Sequence, residues 1–166
     1  KILSKIDFKL TNDQKKTLSE INDDLTSNQK MFRLLQGDVG SGKTIVALMS
    51  AYNVIKAGFQ VAIMAPTEIL AMQHYKLANK IFDNIKIDIL SSKSEYKVKK
   101  RIKKQIQENQ IDILFGTHSI FQSKIVFKNL GLIIIDEQHK FGVNQRKKLS
   151  DKGGKNCDVL LMSATP

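Results

Sequence analysis

Cysteine occurs once in this chain, at Cys157, so no internal disulfide can brace the fold and a reducing cytosol is the expected setting. Beside an apolar run, that thiol reads as a small residue at the edge of the core. No apolar run reaches the ~18–20 residues of a membrane-spanning helix, and no secretory leader opens the sequence. Repeats and low-complexity linkers are lacking too. Arginine is confined to Arg33, Arg101 and Arg146, so the net charge of +11 is carried by lysine. These absences exclude disulfide scaffolds, membrane spans and repeat arrays. What remains is 166 residues with 42% hydrophobic content, enough for one domain with a real core. A pI near 9.7 points to a polyanionic partner, nucleic acid first. The abundance of Lys, Asn and Ile also fits an AT-rich genome, so charge is supporting evidence only.

The densest information lies in Gly37-Asp38-Val39-Gly40-Ser41-Gly42-Lys43-Thr44, a full match to the phosphate-binding pattern GxxxxGK[ST]. An apolar run (Met31 to Leu35) precedes it and a long apolar, helix-like stretch (Ile45 to Ile55) follows. In that strand–loop–helix context, glycines let the backbone turn successive N–H groups toward phosphate oxygens. The helix start adds its own N–H groups and positive dipole end. Lys43 brings a mobile charge for the terminal phosphates, and the Thr44 hydroxyl is suited to Mg²⁺. A nucleoside triphosphate, read as ATP with Mg²⁺, is the expected ligand.

Strand and helix patterns alternate along the chain. Helices are expected over Thr11 to Leu25 (capped by Thr11 or Asn12), Lys43 to Ala57 with a stop at Gly58, and Ile69 to Phe82. Strands are expected at Met31 to Gln36, Val61 to Ala65, Ile85 to Leu90, Ile111 to Phe115, Leu132 to Ile135 and Val159 to Met162. A further helix falls between the third and fourth strands. This alternation implies a three-layer α/β/α architecture around a mainly parallel sheet. From Lys93 to Lys104 there are seven basic residues, but Val98, Ile102 and Ile106 recur every four residues. That stripe makes the segment a solvated helix with one buried face rather than a dedicated nucleic-acid patch.

Asp136-Glu137 closes the apolar strand Leu132 to Ile135. In a parallel sheet, strand C-termini share one crevice with the phosphate loop. Asp136 is then placed to hold Mg²⁺ and Glu137 to orient and deprotonate the attacking water.

The box continues as Asp136-Glu137-Gln138-His139, and with it the chain resembles the superfamily 2 helicases and translocases. DEQH followed by Phe141-Gly142-Val143-Asn144-Gln145-Arg146 is similar to the RecG family of branched-DNA helicases. Ala65-Pro66-Thr67-Glu68-Ile69-Leu70-Ala71, Gly116-Thr117-His118 and Met162-Ser163-Ala164-Thr165-Pro166 complete a colinear set spanning essentially the whole sequence. The resemblance implies the first RecA-like motor lobe, residues 1–166, of a longer bacterial protein. The second lobe, which supplies an arginine to hydrolysis, and any DNA wedge domain would then lie elsewhere in that protein. It also implies DNA-dependent ATP hydrolysis by the whole protein, weak hydrolysis by this piece alone, branched double-stranded DNA as partner, and a place in the bacterial cytosol or nucleoid.

Site roles follow from the same resemblance. Phe8, Leu10, Thr11 and Gln14 correspond to an adenine-recognising motif; Gln14 offers a donor and an acceptor, and an aromatic ring can stack. Pro66, Thr67 and Glu68, with Gly116, Thr117 and His118, correspond to segments that touch the DNA backbone. The plainer alternative for Thr67 is a helix cap. Lys43, Asp136, Glu137 and His139 form the catalytic set. Gln138, Ser163, Ala164 and Thr165 correspond to elements coupling the γ-phosphate to the DNA face. His74 is read as an ordinary structural histidine. Where the family carries a Thr-Gly-Ser turn this chain has Ser91-Ser92-Lys93, and Gln145-Arg146 has no assigned role.

Within the class, the second reading is another double-stranded DNA translocase, such as a transcription-repair coupling factor. Outside it stands a P-loop switch without motor activity. A P-loop kinase or transporter ATPase would leave Gly116-Thr117-His118 and Ser163-Ala164-Thr165 without a purpose.

Overall fold

The computed structural model describes residues 12–26, 32–36, 42–117, 125–136 and 157–163. In chain order these form α1 (Asn12–Thr26), β1 (Phe32–Gln36), α2 (Lys43–Lys56), β2 (Gln60–Met64), α3 (Glu68–Ile81), β3 (Ile87–Leu90), α4 (Tyr96–Gln107), β4 (Ile113–Gly116), β5 (Leu130–Asp136) and β6 (Asp158–Ser163). The six strands make one sheet in the order β1-β6-β5-β2-β4-β3, and every neighbouring pair runs parallel. All the expected elements are present within one or two residues of the boundaries read from pattern.

Register explains why the inner strands β2, β4 and β5 carry apolar residues on both faces. Ile63 of β2 lies beside Phe115 of β4 and Ile134 of β5, and these side chains join Val61, Ile113, Leu132 and Leu160 in one core with α1, α2 and α3. Their neighbours Ala62, Met64, Ile133, Ile135, Val159 and Leu161 form a second cluster. Both faces of the sheet are therefore apolar, as a doubly covered parallel sheet demands. Cys157 is buried with that second cluster, the core-edge position its sequence neighbours imply.

Local signals set the ends of the elements. After α2, the N–H of Phe59 donates to Val54 O (3.2 Å) and that of Gly58 to Ile55 O (2.9 Å), with Gly58 at φ 98°. This is a Schellman stop, which needs a left-handed residue at the glycine. Phe59 then lies against Gly131, where an added Cβ would come within 2.6 Å of the Phe59 Cβ.

The N-terminal edge of the sheet is tied by one buried amide. Gln60 Nε2 donates to the carbonyls of Ile106 (3.0 Å) and Ile111 (2.9 Å), and its Oε1 accepts from Asn129 N (2.9 Å). One side chain thus fixes the end of α4 and the starts of β4 and β5. Ile102 and Ile106 of α4 are fully buried against Leu90, Ile111, Leu114 and Ile125, with Val98 packed beside them. The four-residue stripe in the basic segment is therefore a packing face.

Among the described residues, no helix is long and apolar enough to cross a membrane.

Candidate nucleotide site and DNA-facing edge

Because all six strands point the same way, their C-terminal ends form one edge, and strand order divides that edge in two. At one half lie the ends of β1, β6 and β5, with Gly42-Lys43-Thr44, Ser163 and Asp136. The other half carries the ends of β2, β4 and β3, leading into Pro66-Thr67-Glu68, Thr117 and Ser91-Ser92. The boundary runs between β5 and β2.

In the first half, α2 starts at Gly42 (φ −72°, ψ 17°) with no side-chain cap and no acidic residue in its first turn. A helix start left this way is electrostatically open to an anion. Lys43 and Thr44 occupy that first turn and are half-buried. Gly42 has an ordinary φ, so backbone freedom is not what requires glycine there. The reason is space: a Cβ on Gly42 would overlap Nε2 of Gln14. Gln14, on α1, therefore lies directly over the start of the phosphate-loop helix.

Asp136 ends β5 beside Met162 of β6. It is only 9% exposed, and His74 of α3 supplies its partner: Nε2 stands 2.6 Å from Oδ2. An ionised carboxylate can only accept, so the imidazole donates its Nε2–H. Among the described residues, no partner is found for its Oδ1. A hydroxyl on Thr44 and one carboxylate are hard oxygen donors of the kind Mg²⁺ takes alongside phosphate oxygens. Among the described residues there is no cluster of three or more His, Cys, Asp or Glu.

The contact between His74 and Asp136 was not legible in the sequence, yet a signal existed. It shares the buried stripe of α3 with Ala71, Ala78 and Ile81, and a polar group on an apolar helix face requires a partner.

In the second half, Ala65 N donates to Gly116 O (2.9 Å), which sets Pro66 beside Thr117. Leu90 pairs with Gly116, so Ser91 follows on the other side. Thr67 caps α3, its Oγ1 accepting from Leu70 N at 3.2 Å; the capping alternative is thus real. Its hydroxyl proton is not used by that bond.

Glu68 links two of these segments. Its Oε1 accepts from Ser92 Oγ (2.6 Å), Ser92 N (2.9 Å) and Ser91 Oγ (2.9 Å). The Ser92 hydroxyl, then the Ser92 amide and the Ser91 hydroxyl, hold the Glu68 carboxyl below its ordinary 4.5, with help from the Lys93 charge against a small desolvation cost. A carboxylate would repel a DNA phosphate, and here it orders the neighbouring turn instead. Both serine hydroxyl donors go to Glu68, while Lys99 Nζ holds the Ser92 carbonyl at 3.1 Å. A phosphate at this turn would therefore meet lysines such as Lys93 rather than the serine hydroxyls.

Several residues read from sequence lie outside the described residues: Phe8, Leu10, Thr11, Gly37, Asp38, Val39, Gly40, Ser41, His118, Glu137, Gln138, His139, Ala164 and Thr165, with Gln145 and Arg146.

Comparison with known proteins agrees with this architecture. The DEAD/DEAH box helicase family model matches residues 11–166. The ATP-dependent DNA helicase RecG of Aquifex aeolicus is 49% identical over the whole chain, which corresponds to 21% of that protein. The Bacillus subtilis RecG is 46% identical, again over the whole chain and 24% of the relative. A solved structure of RecG bound to a three-way DNA junction superposes with a TM-score of 0.86 at 46% identity, covering 99% of this chain and 22% of that one. Mss116p bound to single-stranded RNA and AMP-PNP matches at a TM-score of 0.73 and 21% identity over all of this chain and 37% of that one, a likeness of fold alone. The chain thus spans about a fifth to a quarter of the length of its RecG relatives. On the family match and the RecA-like architecture together, the chain belongs to the DEAD/DEAH box helicases.

Proposed function

We propose that this chain is the nucleotide-binding motor lobe of an ATP-dependent DNA helicase or translocase of the RecG kind, which remodels branched double-stranded DNA such as forks and junctions. The observation that carries this reading is the divided C-terminal edge. The nucleotide-binding motifs arrive there from β1, β5 and β6 and the motifs read as DNA-contacting from β2, β3 and β4, in a sequence nearly half identical to RecG from end to end. The likeness to bacterial RecG proteins supports a place for this work in the bacterial cytosol, on DNA.

In this reading Gly37 to Gly42 cradle the phosphates, Lys43 neutralises the terminal ones, and Phe8, Leu10, Thr11 and Gln14 hold the adenine. Thr44 and Asp136 hold Mg²⁺, whose chemistry is to neutralise charge on the phosphate oxygens. Glu137 orients and deprotonates water. Gln138, His139, Ser163, Ala164 and Thr165 pass the state of the γ-phosphate to the DNA side. There, Thr67 and Thr117 donate to backbone oxygens together with Pro66, Gly116 and His118, and Glu68 supports the adjoining turn. A second RecA-like lobe in the same protein supplies the arginine that completes the site.

The test is ATP turnover by the full-length protein with and without a three-way junction. Stimulation by the junction, lost in Lys43→Ala, supports the motor. Nucleotide binding without DNA-dependent turnover favours a switch.

A further inference from the structure

We infer that His74 is a positioning residue for the metal-binding carboxylate: its Nε2–H holds Asp136 at one oxygen, so that the other is presented to Mg²⁺. The inference rests on the reading of Asp136 as the Mg²⁺ carboxylate and adds a residue that reading did not contain.

Three observations carry it. The Nε2 to Oδ2 separation is 2.6 Å with both side chains 11% exposed, so the contact is short and largely shielded from water. Among the described residues, His74 is the one hydrogen-bond or ion-pair partner found for the Asp136 side chain, and it holds that carboxylate at Oδ2. Finally, the two residues come from opposite halves of the edge: Asp136 ends β5, whereas α3 leaves β2 on the DNA-facing side. A carboxylate on its own can rotate about χ2 and offer either oxygen. With Oδ2 engaged, that rotation is restrained and the ligand oxygen is fixed, as in other metal sites whose carboxylates are held by outer partners.

The same bond ties Asp136 to a helix whose first turn belongs to the DNA side. Thr67 caps α3, and Glu68 in its first turn carries the Ser91-Ser92 turn. His74 lies six residues further along that helix. A shift of α3 when DNA is engaged would therefore act on Asp136 through one hydrogen bond.

The experiment uses the full-length protein and reads Mg²⁺-dependent binding of a fluorescent N-methylanthraniloyl-ADP, alongside ATP turnover as a function of Mg²⁺. His74→Leu fills the space without a donor. His74→Asn places its amide at the Nδ1 position, too short to reach Asp136. His74→Gln places its amide nitrogen near the Nε2 position. Leu and Asn are expected to raise the Mg²⁺ concentration at half-maximal binding about 10–100-fold, the usual cost of losing an outer partner of a metal ligand. Probe binding without Mg²⁺ should stay the same in both. Gln should restore the wild-type Mg²⁺ requirement. If Leu fails to fold, the Asn and Gln pair carries the same comparison.

A folded Leu or Asn variant with the wild-type Mg²⁺ requirement overturns the inference, as does a Gln variant no better than Asn. Asp136→Asn separates the two levels. If it leaves the Mg²⁺ requirement unchanged, the metal reading of Asp136 itself fails. If it shifts the requirement while His74→Leu does not, only the role of His74 is lost.

Discussion

The side-chain amide of Gln14 lies over the α-carbon of Gly42, in the space where any other residue would carry its Cβ. If Gln14 recognises adenine as proposed, this one contact between α1 and the start of α2 joins adenine recognition to phosphate binding. Gly42→Ala must push Gln14 aside. Because the obstacle is the end of a flexible side chain, the fold should survive. Nucleotide affinity should fall by about 0.5–1.5 kcal/mol, the range for one hydrogen bond, or roughly 2–12-fold. A double-mutant cycle with Gln14→Ala checks the cause by calorimetry: the alanine at 42 should cost less once Gln14 is gone. Equal costs in both backgrounds would refute the contact's role.

Glu68 gives a pH signature. Its carboxyl is held below 4.5 by the Ser91-Ser92 turn, so the bonds contribute fully above that ordinary value. Their contribution is lost as pH falls through the lowered folded value. The Ser92 amide resonance should report this titration with a midpoint below 4.5. In Glu68→Ala the same amide should exchange with solvent faster, and DNA affinity should weaken through the loosened turn. A midpoint at or above 4.5 would contradict the assignment.

Gln60→Leu probes the buried amide at the other end of the sheet. Ile106 O retains a bond from Asn109 N (3.2 Å), but Ile111 O and Asn129 N lose their side-chain partner. A buried polar group left unpaired costs roughly 1–3 kcal/mol, so urea unfolding should show a loss of at least about 1 kcal/mol. ATP binding by the folded fraction should not change, because Gln60 is remote from the C-terminal edge. An unaltered midpoint would mean that water satisfies these groups.

The fold was almost wholly legible because its signals are local. Strands such as β2 and β5 are marked by continuous apolar runs, Val61 to Ala65 and Leu132 to Ile135, and Gly58 ends α2 by the bonding expected of a glycine stop. The basic segment also yielded to periodicity: Ile102 and Ile106 are buried as their spacing required. The site was legible only as a set of motifs. Glu68 reaches Ser92 across 24 positions and His74 reaches Asp136 across 62, and no local pattern encodes such pairings. Gly42 looked like a conformational glycine, whereas its constraint comes from a side chain on another helix.

In the full-length protein, Glu137→Gln should bind ATP normally and lose turnover, since the carboxamide cannot accept the water's proton. The chain of 166 residues by itself should bind Mg-ADP weakly and hydrolyse ATP hardly at all, because the arginine proposed to come from a second lobe would be missing, and such a group can contribute about 10³–10⁵ in rate. Vigorous DNA-stimulated turnover by this piece alone would show that its site is complete without a partner.

The most direct measurement of the motor claim is steady-state ATP hydrolysis by the full-length protein, titrated with a three-way DNA junction and with linear duplex of equal length. Turnover should rise with junction and less with duplex, and should vanish in Lys43→Ala at every DNA concentration. Turnover indifferent to DNA, or surviving Lys43→Ala, would contradict that claim.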